Sequence, residues 1–356
     1  MLTQPARAIK RCGKHLIPFF ENVEPQRDAS LDWIRAAAAF FVVLIHVCSK
    51  QFYTFTASWN ICILYESSAR MSVALFAIIT GYLLLNNKNE YPYIFLRRRL
   101  TKILIPFFIV MFIYYMQSDD TASIFLVKLL RNEVDFHLWY VYVISGIYFF
   151  IPFLNSLFLT TENKYIKNYF IMLWFSGSII FQFYIALSGK NNDPFGIFNF
   201  FCFTGYVVFG GALRNESLQQ KLSKNSLVYL CGYFASSLLI CALTKIYSKY
   251  LGKPSELFFE HFSIFVFVQS MMFFLFIKSS QPKTNPYIVV LSKLSYNIYL
   301  IHVLILNFIY KNMAIENYQL IAIPAITLLV YILSAIVSIP LYQAGILITR
   351  FLPWTR

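Results

Sequence analysis

Charge is scarce in this chain. Asp and Glu number 16 in 356 residues, and charged side chains make up 13% of the chain against a hydrophobic share of 58%. A soluble domain carries about twice that share of charge, so a soluble enzyme or binding module is excluded and a polytopic membrane protein is implied. The six cysteines (Cys12, Cys48, Cys62, Cys202, Cys231 and Cys241) show no paired spacing, which indicates neither a disulfide framework nor a metal site. Internal repeats, low-complexity tracts and linkers long enough to separate a second folded domain are also missing. Residues 1–31 are polar and basic with no apolar core, so no cleavable signal peptide is expected. They read as a cytoplasmic N-terminal tail, and residues 32–356 as one transmembrane domain.

What the chain does have is apolar length. Segments able to span a bilayer lie at roughly 33–53, 71–86, 100–117, 138–158, 166–187, 196–213, 226–247, 262–278, 286–310 and 319–349, which predicts an all-α protein of about ten transmembrane helices. The net charge of +14 could point to nucleic acid, but its distribution points elsewhere. Placing the N-terminus and the even-numbered connections on one side collects 20 of the 30 lysines and arginines there, leaves 9 on the other, and leaves Arg35 at a helix edge. The positive-inside rule then predicts both termini in the cytoplasm. No nucleic-acid partner is expected, and membrane lipids are.

Against that apolar background a few polar residues stand out. Arg35 and His46 are eleven positions apart in the first span, within about 20° of one helix face and roughly 16 Å apart along the axis. An ionisable residue inside hydrocarbon costs several kcal/mol unless partnered, which makes His46 a functional candidate; the plainer reading is a histidine satisfied by a neighbouring helix. Arg70 is expected near the outer face, at the start of the second span, where a snorkelling arginine is the ordinary explanation. Arg97, Arg98, Arg99 and Lys102 cluster at the cytoplasmic mouth of the third span. Such a cluster is a topology signal and a contact for anionic lipid, and it is also a candidate phosphate site, because arginine's planar fork grips phosphate in a bidentate way. Before the fourth span comes Phe136-His137-Leu138-Trp139-Tyr140; an aromatic belt explains the tyrosines, while His137 and Trp139 are candidates for holding a sugar ring. In the ninth span Ser295, Tyr299 and His302 share a face at three-to-four spacing, with His302 a second histidine inside the membrane.

Together these stretches resemble the integral-membrane acyltransferase 3 family, many of whose members O-acetylate bacterial surface glycans. The resemblance runs from Asp32 to the tenth span. It rests on Leu31-Asp32-x-x-Arg35 with His46 beyond it, on Arg70-x-Ser-Val-x-Leu-Phe followed by Gly81-Tyr82-Leu83-Leu84, and on the basic run ending in Pro106. Phe136-His-Leu-Trp-Tyr and Ser295 to Ile298-Tyr-Leu-Ile-His302 complete it. The branch it is most similar to contains surface-polysaccharide acetyltransferases of enterobacterial type. Two positions depart from the usual pattern: Ala74 stands where proline commonly precedes Leu-Phe, and Thr80 where serine commonly precedes Gly-Tyr.

The resemblance implies transfer of an acyl group, commonly acetyl from acetyl-CoA, to a hydroxyl of a surface glycan or its lipid-linked precursor, in the bacterial inner membrane. His46 and Arg35 are then the catalytic candidates, with His46 as base or acyl carrier. Arg97, Arg98, Arg99 and Lys102 become donor-binding candidates, and Arg70, His137, Trp139, Tyr299 and His302 acceptor-binding ones, with no metal required. The residues suit this independently, since a hydroxyl is a weak nucleophile and an imidazole titrates near working pH. A different class, an exporter of a glycan intermediate without covalent chemistry, tends to show paired repeats with broken helices, and none are evident.

Overall fold

In hydrocarbon every backbone N–H and C=O must find a partner inside its own segment, so the long apolar runs close into helices. The structure, a computed structural model, describes residues 27–55, 58–85, 91–160, 164–188, 197–214, 225–312 and 319–351. The expected tail, residues 1–31, therefore lies outside the described residues as far as residue 26. Among the described residues every regular element is helical.

In chain order the helices are α1 (Ala29–Phe52), α2 (Trp59–Ala69), α3 (Ser72–Leu84), α4 (Pro92–Gln117), α5 (Ala122–Leu130), α6 (Trp139–Thr160) and α7 (Lys164–Trp174). After a π-helical turn over Phe175–Phe181 come α8 (Gln182–Leu187), α9 (Ile197–Ala212), α10 (Ser226–Leu251), α11 (Ile264–Ser280), α12 (Pro286–Asn312) and α13 (Gln319–Phe351). Among the described residues nine stretches are long and apolar enough to cross a membrane, and Asn199–Ala212 is a shorter apolar helix in the place of the expected sixth span. The all-α membrane architecture expected from hydropathy is thus present.

Two boundaries differ: the third span begins at Pro92 and not near residue 100, so Arg97 to Lys102 lie within α4, and the second span begins earlier as well. The second span starts at Trp59, not near residue 71, because α2 and α3 join end to end through Arg70 and Met71, both in helical conformation. Arg70 consequently lies in the middle of that span and not near its outer end. The Ala74 departure is harmless, since this is the third residue of α3, where the helix N–H groups lack intrahelical partners and proline and alanine are both tolerated.

α1 sits at the centre, packed against α2, α3, α11, α12 and α13. Its start is tied down by charge. The Asp28 side chain caps the helix by accepting from the Ser30 N–H at 3.0 Å and pairs with Lys278 at 2.7 Å. Buried Asp32 accepts two bonds from Arg27, at 2.5 and 2.6 Å, and one from the Ser292 hydroxyl of α12 at 2.6 Å. Farther along, the Tyr331 hydroxyl of α13 donates to the Ala36 carbonyl at 3.0 Å, and that of Tyr310 in α12 to Val47 at 2.9 Å. Such interhelical bonds matter because lipid tails give helices no hydrophobic reason to associate.

Candidate active site

Three helices bring their polar residues to a common line. A cavity of about 180 Å³ is lined by Arg35 and Val42 of α1, Tyr140 and Tyr148 of α6, and Tyr296 and Tyr299 of α12, with apolar side chains filling most of the remaining wall. Arg35 stands near one end of α1. At the opposite end each helix places a histidine one turn beyond a lining residue: His46 four positions after Val42, His302 three after Tyr299, and His137 three before Tyr140 on the antiparallel α6 entry. A helix advances about 1.5 Å per residue, so all three rings reach the same level. The i, i+3 and i+4 spacings that line the cavity are those that keep side chains on one helix face.

The rings meet there. The centres of His46 and His302 are 4.9 Å apart, those of His137 and His302 5.1 Å, and those of His46 and His137 6.1 Å. His302 is fully buried, His137 nearly so and His46 partly exposed. Nδ1 of His302 lies 2.7 Å from the Tyr299 carbonyl oxygen, and the Tyr299 hydroxyl donates to the His137 carbonyl. His46 is held only by ring contacts, including Phe136 at 5.2 Å; among the described residues neither of its nitrogens has a hydrogen-bond partner.

His137 is positioned by Asp135, whose carboxylate accepts from ring Nδ1 at 2.8 Å. The bond is local, since Asp135 precedes the short turn Phe136–Leu138 that leads into α6. Burial alone would push the Asp135 carboxyl up, but the ring and backbone bonds from His137 outweigh it and hold the group below the usual carboxylate range. A depressed folded-state value means the clasp contributes stability above the unfolded-state pKa of about 3.9 and loses it as pH falls through the folded-state value. Asp135→Asn is therefore expected to lower the thermal unfolding midpoint of the solubilised protein at pH 7. The gap from wild type should close only below about pH 4. A gap already closing between pH 7 and 5 would contradict an ionised clasp.

At the other end of the cavity Arg35 has no carboxylate within ion-pair distance among the described residues, because Asp32, one turn away, is taken by Arg27 and Ser292. Arg99 of α4 lies within electrostatic reach of both Arg35 and Tyr148. Arg97 and Arg99 are half-buried, their guanidinium groups 5.9 Å from the Tyr93 and Phe95 ring centres, while Arg98 and Lys102 are exposed. Among the described residues Arg97, Arg99 and Lys102 likewise have no carboxylate partner within ion-pair distance. The arrangement offers one guanidinium in the cavity wall, the α4 cation Arg99 within its electrostatic reach, and imidazoles one helical turn beyond the lining residues at the opposite end.

Two of the expected acceptor residues lie off this line. Arg70 pairs closely with Glu66 and lies 3.5 Å from Glu256, with its guanidinium 4.0 Å over the Phe259 ring. Trp139 faces His261, with ring centres 5.4 Å apart, and Phe203 at 5.6 Å. The structure thus brings together His46, His137, His302 and Tyr299, and puts Arg70 and Trp139 in a neighbouring polar and aromatic cluster. Among the described residues no group of three or more His, Cys, Asp or Glu side chains has a metal-holding arrangement.

The sequence profile of the acyltransferase domain family called acyltransferase 3 matches residues 28–343, from the cap of α1 into α13. The chain belongs to that family. It is a membrane acyltransferase. No curated protein and no solved structure matches it significantly. In this acyltransferase the matched region holds every element of the cavity and the histidine cluster. Sequence reasoning missed Asp135, Tyr148, Tyr296 and His261. Only Asp135 left a local signal, an aspartate two positions before a histidine; the others required knowing which helices touch. Thr80, the second departure from the usual pattern, lines the cavity while its hydroxyl donates back to the Phe76 carbonyl at 2.8 Å, which a serine would do equally well.

Proposed function

We propose that this acyltransferase moves an acetyl group from acetyl-CoA to a hydroxyl of a bacterial surface glycan or its lipid-linked precursor, in the bacterial inner membrane. The observation that carries the reading is the alignment of Arg35, the cavity and the three imidazoles along one path. CoA bears several phosphates, and Arg97, Arg98, Arg99 and Lys102 are suited to hold them at the cytoplasmic mouth. A largely apolar cavity suits the pantetheine arm and excludes water from the thioester. Arg35 within it supplies donors for the carbonyl oxygen, where negative charge develops during transfer. His46 is the reacting imidazole, and the acceptor arrives from the opposite side, where His137, Tyr299 and His302 are grouped and Arg70 and Trp139 stand nearby. Acetyl groups then cross the membrane by transfer along the path, without CoA itself crossing.

The direct test compares the surface glycan of cells with and without this chain by mass spectrometry and NMR. The expected result is a glycan heavier by acetyl groups, attached through ester bonds, only when the chain is present. A glycan of identical mass whose location changes would sink the transferase reading in favour of an exporter.

A further inference from the structure

The three imidazoles differ in what holds them, and that difference separates their roles. His137 has both nitrogens occupied: Nδ1 on Asp135 at 2.8 Å, and Nε2 at 3.4 Å from the Leu300 carbonyl oxygen. His46 has neither nitrogen held among the described residues, so nothing sets its tautomer. His302 is the remaining case. Its Nδ1 faces two carbonyl oxygens of its own helix, Tyr299 at 2.7 Å and Ile298 at 3.2 Å. Carbonyl oxygens only accept, so Nδ1 carries the hydrogen, and in the neutral ring the lone pair is on Nε2. Among the described residues that Nε2 is buried without a partner. It sits on the ring edge away from the helix backbone, and the ring centres of His46 and His137 lie 4.9 and 5.1 Å from that of His302. A buried acceptor with no donor is rare enough to require an explanation, and a donor brought by a ligand is one.

We propose that Nε2 of His302 takes the proton from the attacking hydroxyl, an assignment that rests on the acyl-transfer reading above. The acceptor O–H bond breaks and its electron pair forms the new bond to the acyl carbon. The bond from that carbon to its carrier breaks, the carrier keeping the pair, and the proton on Nε2 passes to the carrier, leaving a free thiol when the carrier is CoA. The orienting carbonyls act as a carboxylate does for other catalytic histidines, fixing the tautomer so that the lone pair faces the substrate. The His46 ring centre lies 4.9 Å from that of His302, so His46 stands beside this base. Among the described residues no hydrogen bond holds the His46 ring, which leaves its side chain free to turn as a hydroxyl enters. His46 is then the imidazole beside the acyl carbon, and His302 the base.

The test uses the full chain in membranes, acetyl-CoA as donor, and surface polysaccharide isolated from cells lacking the chain as acceptor. In His302→Asn the shorter amide can still donate to the Tyr299 carbonyl but offers no base. The expected result is a kcat lower by about 10²–10⁴-fold, with the KM for acetyl-CoA unchanged and an unfolding midpoint close to wild type. Activity within fivefold of wild type overturns the assignment. So does a loss that appears as a matching rise in the KM for acetyl-CoA, which would place His302 in donor binding. If His302→Asn does not fold, His302→Gln is read by the same criteria, and failure of both to fold marks a structural residue and also overturns it. Absence of transfer by the wild-type chain sinks the acyl-transfer reading instead, so the two failures are told apart.

Discussion

Replacing His46 by alanine is expected to lower glycan acylation by about 10²–10³-fold, the range lost with one preorganised group beside the carbon where charge develops. The loss should be chemical and not structural. Among the described residues neither nitrogen of the ring has a hydrogen-bond partner, and the side chain is partly exposed, so its removal leaves no newly orphaned polar atom. The ring nevertheless stands 4.9 Å from His302 and 6.1 Å from His137, at the end of the cavity that begins at Arg35. The measurement is acetate on the isolated glycan from cells carrying His46→Ala, with protein level and unfolding midpoint followed in parallel. Acylation within tenfold of wild type at equal protein level would remove His46 from the chemistry.

The second large effect concerns the fold. A Cβ built on Gly81 of α3 would stand 1.7 Å from the Val207 carbonyl oxygen of α9, and one on Gly210 of α9 would stand 2.0 Å from that of Ile78. The obstacle on each side is backbone, which cannot rotate away as a side chain can. The two helices cross at a distance only hydrogen permits, as small residues allow at membrane helix interfaces. Overpacking commonly costs 1–3 kcal/mol, and here the upper end, about 3 kcal/mol, is expected for Gly81→Ala. That is a large part of the roughly 5–15 kcal/mol by which proteins are stable, so the variant should fall sharply in unfolding midpoint and in membrane level. Gly177→Ala is the control, since among the described residues nothing outside its own helical turn lies within 4 Å of a Cβ there. Equal midpoints for the two variants would mean that α3 and α9 do not approach so closely.

This crossing also explains why Gly81 stands in the Gly81-Tyr82-Leu83-Leu84 stretch. The motif could be recognised in the sequence, but its reason could not, because α9 lies far along the chain. The second span shows the opposite difficulty. Residues 59–70 carry Asn60, Glu66, Ser67 and Ser68, which dilute hydropathy and suggest an outer loop. Burial of Glu66 becomes tolerable once Arg70 pairs with it, one helical turn away. A pattern that counts each residue separately prices both charges in full, whereas the folded helix carries them as a pair.

The sequence by itself determined what depends on near neighbours: helices from long apolar runs, a bias of cations to one set of connections, and Arg35 and His46 on one face. These follow from the 3.6-residue period of the helix and from the poverty of charge, neither of which needs a partner segment. Tertiary structure alone decided which histidines meet. His46, His137 and His302 come from helices far apart in the chain, and their convergence depends on how α1, α6 and α12 pack. It also decided that Arg70 is held by Glu66 and Glu256 while Arg35 is left open to the cavity, because ion pairing is set by which carboxylate comes within reach through space.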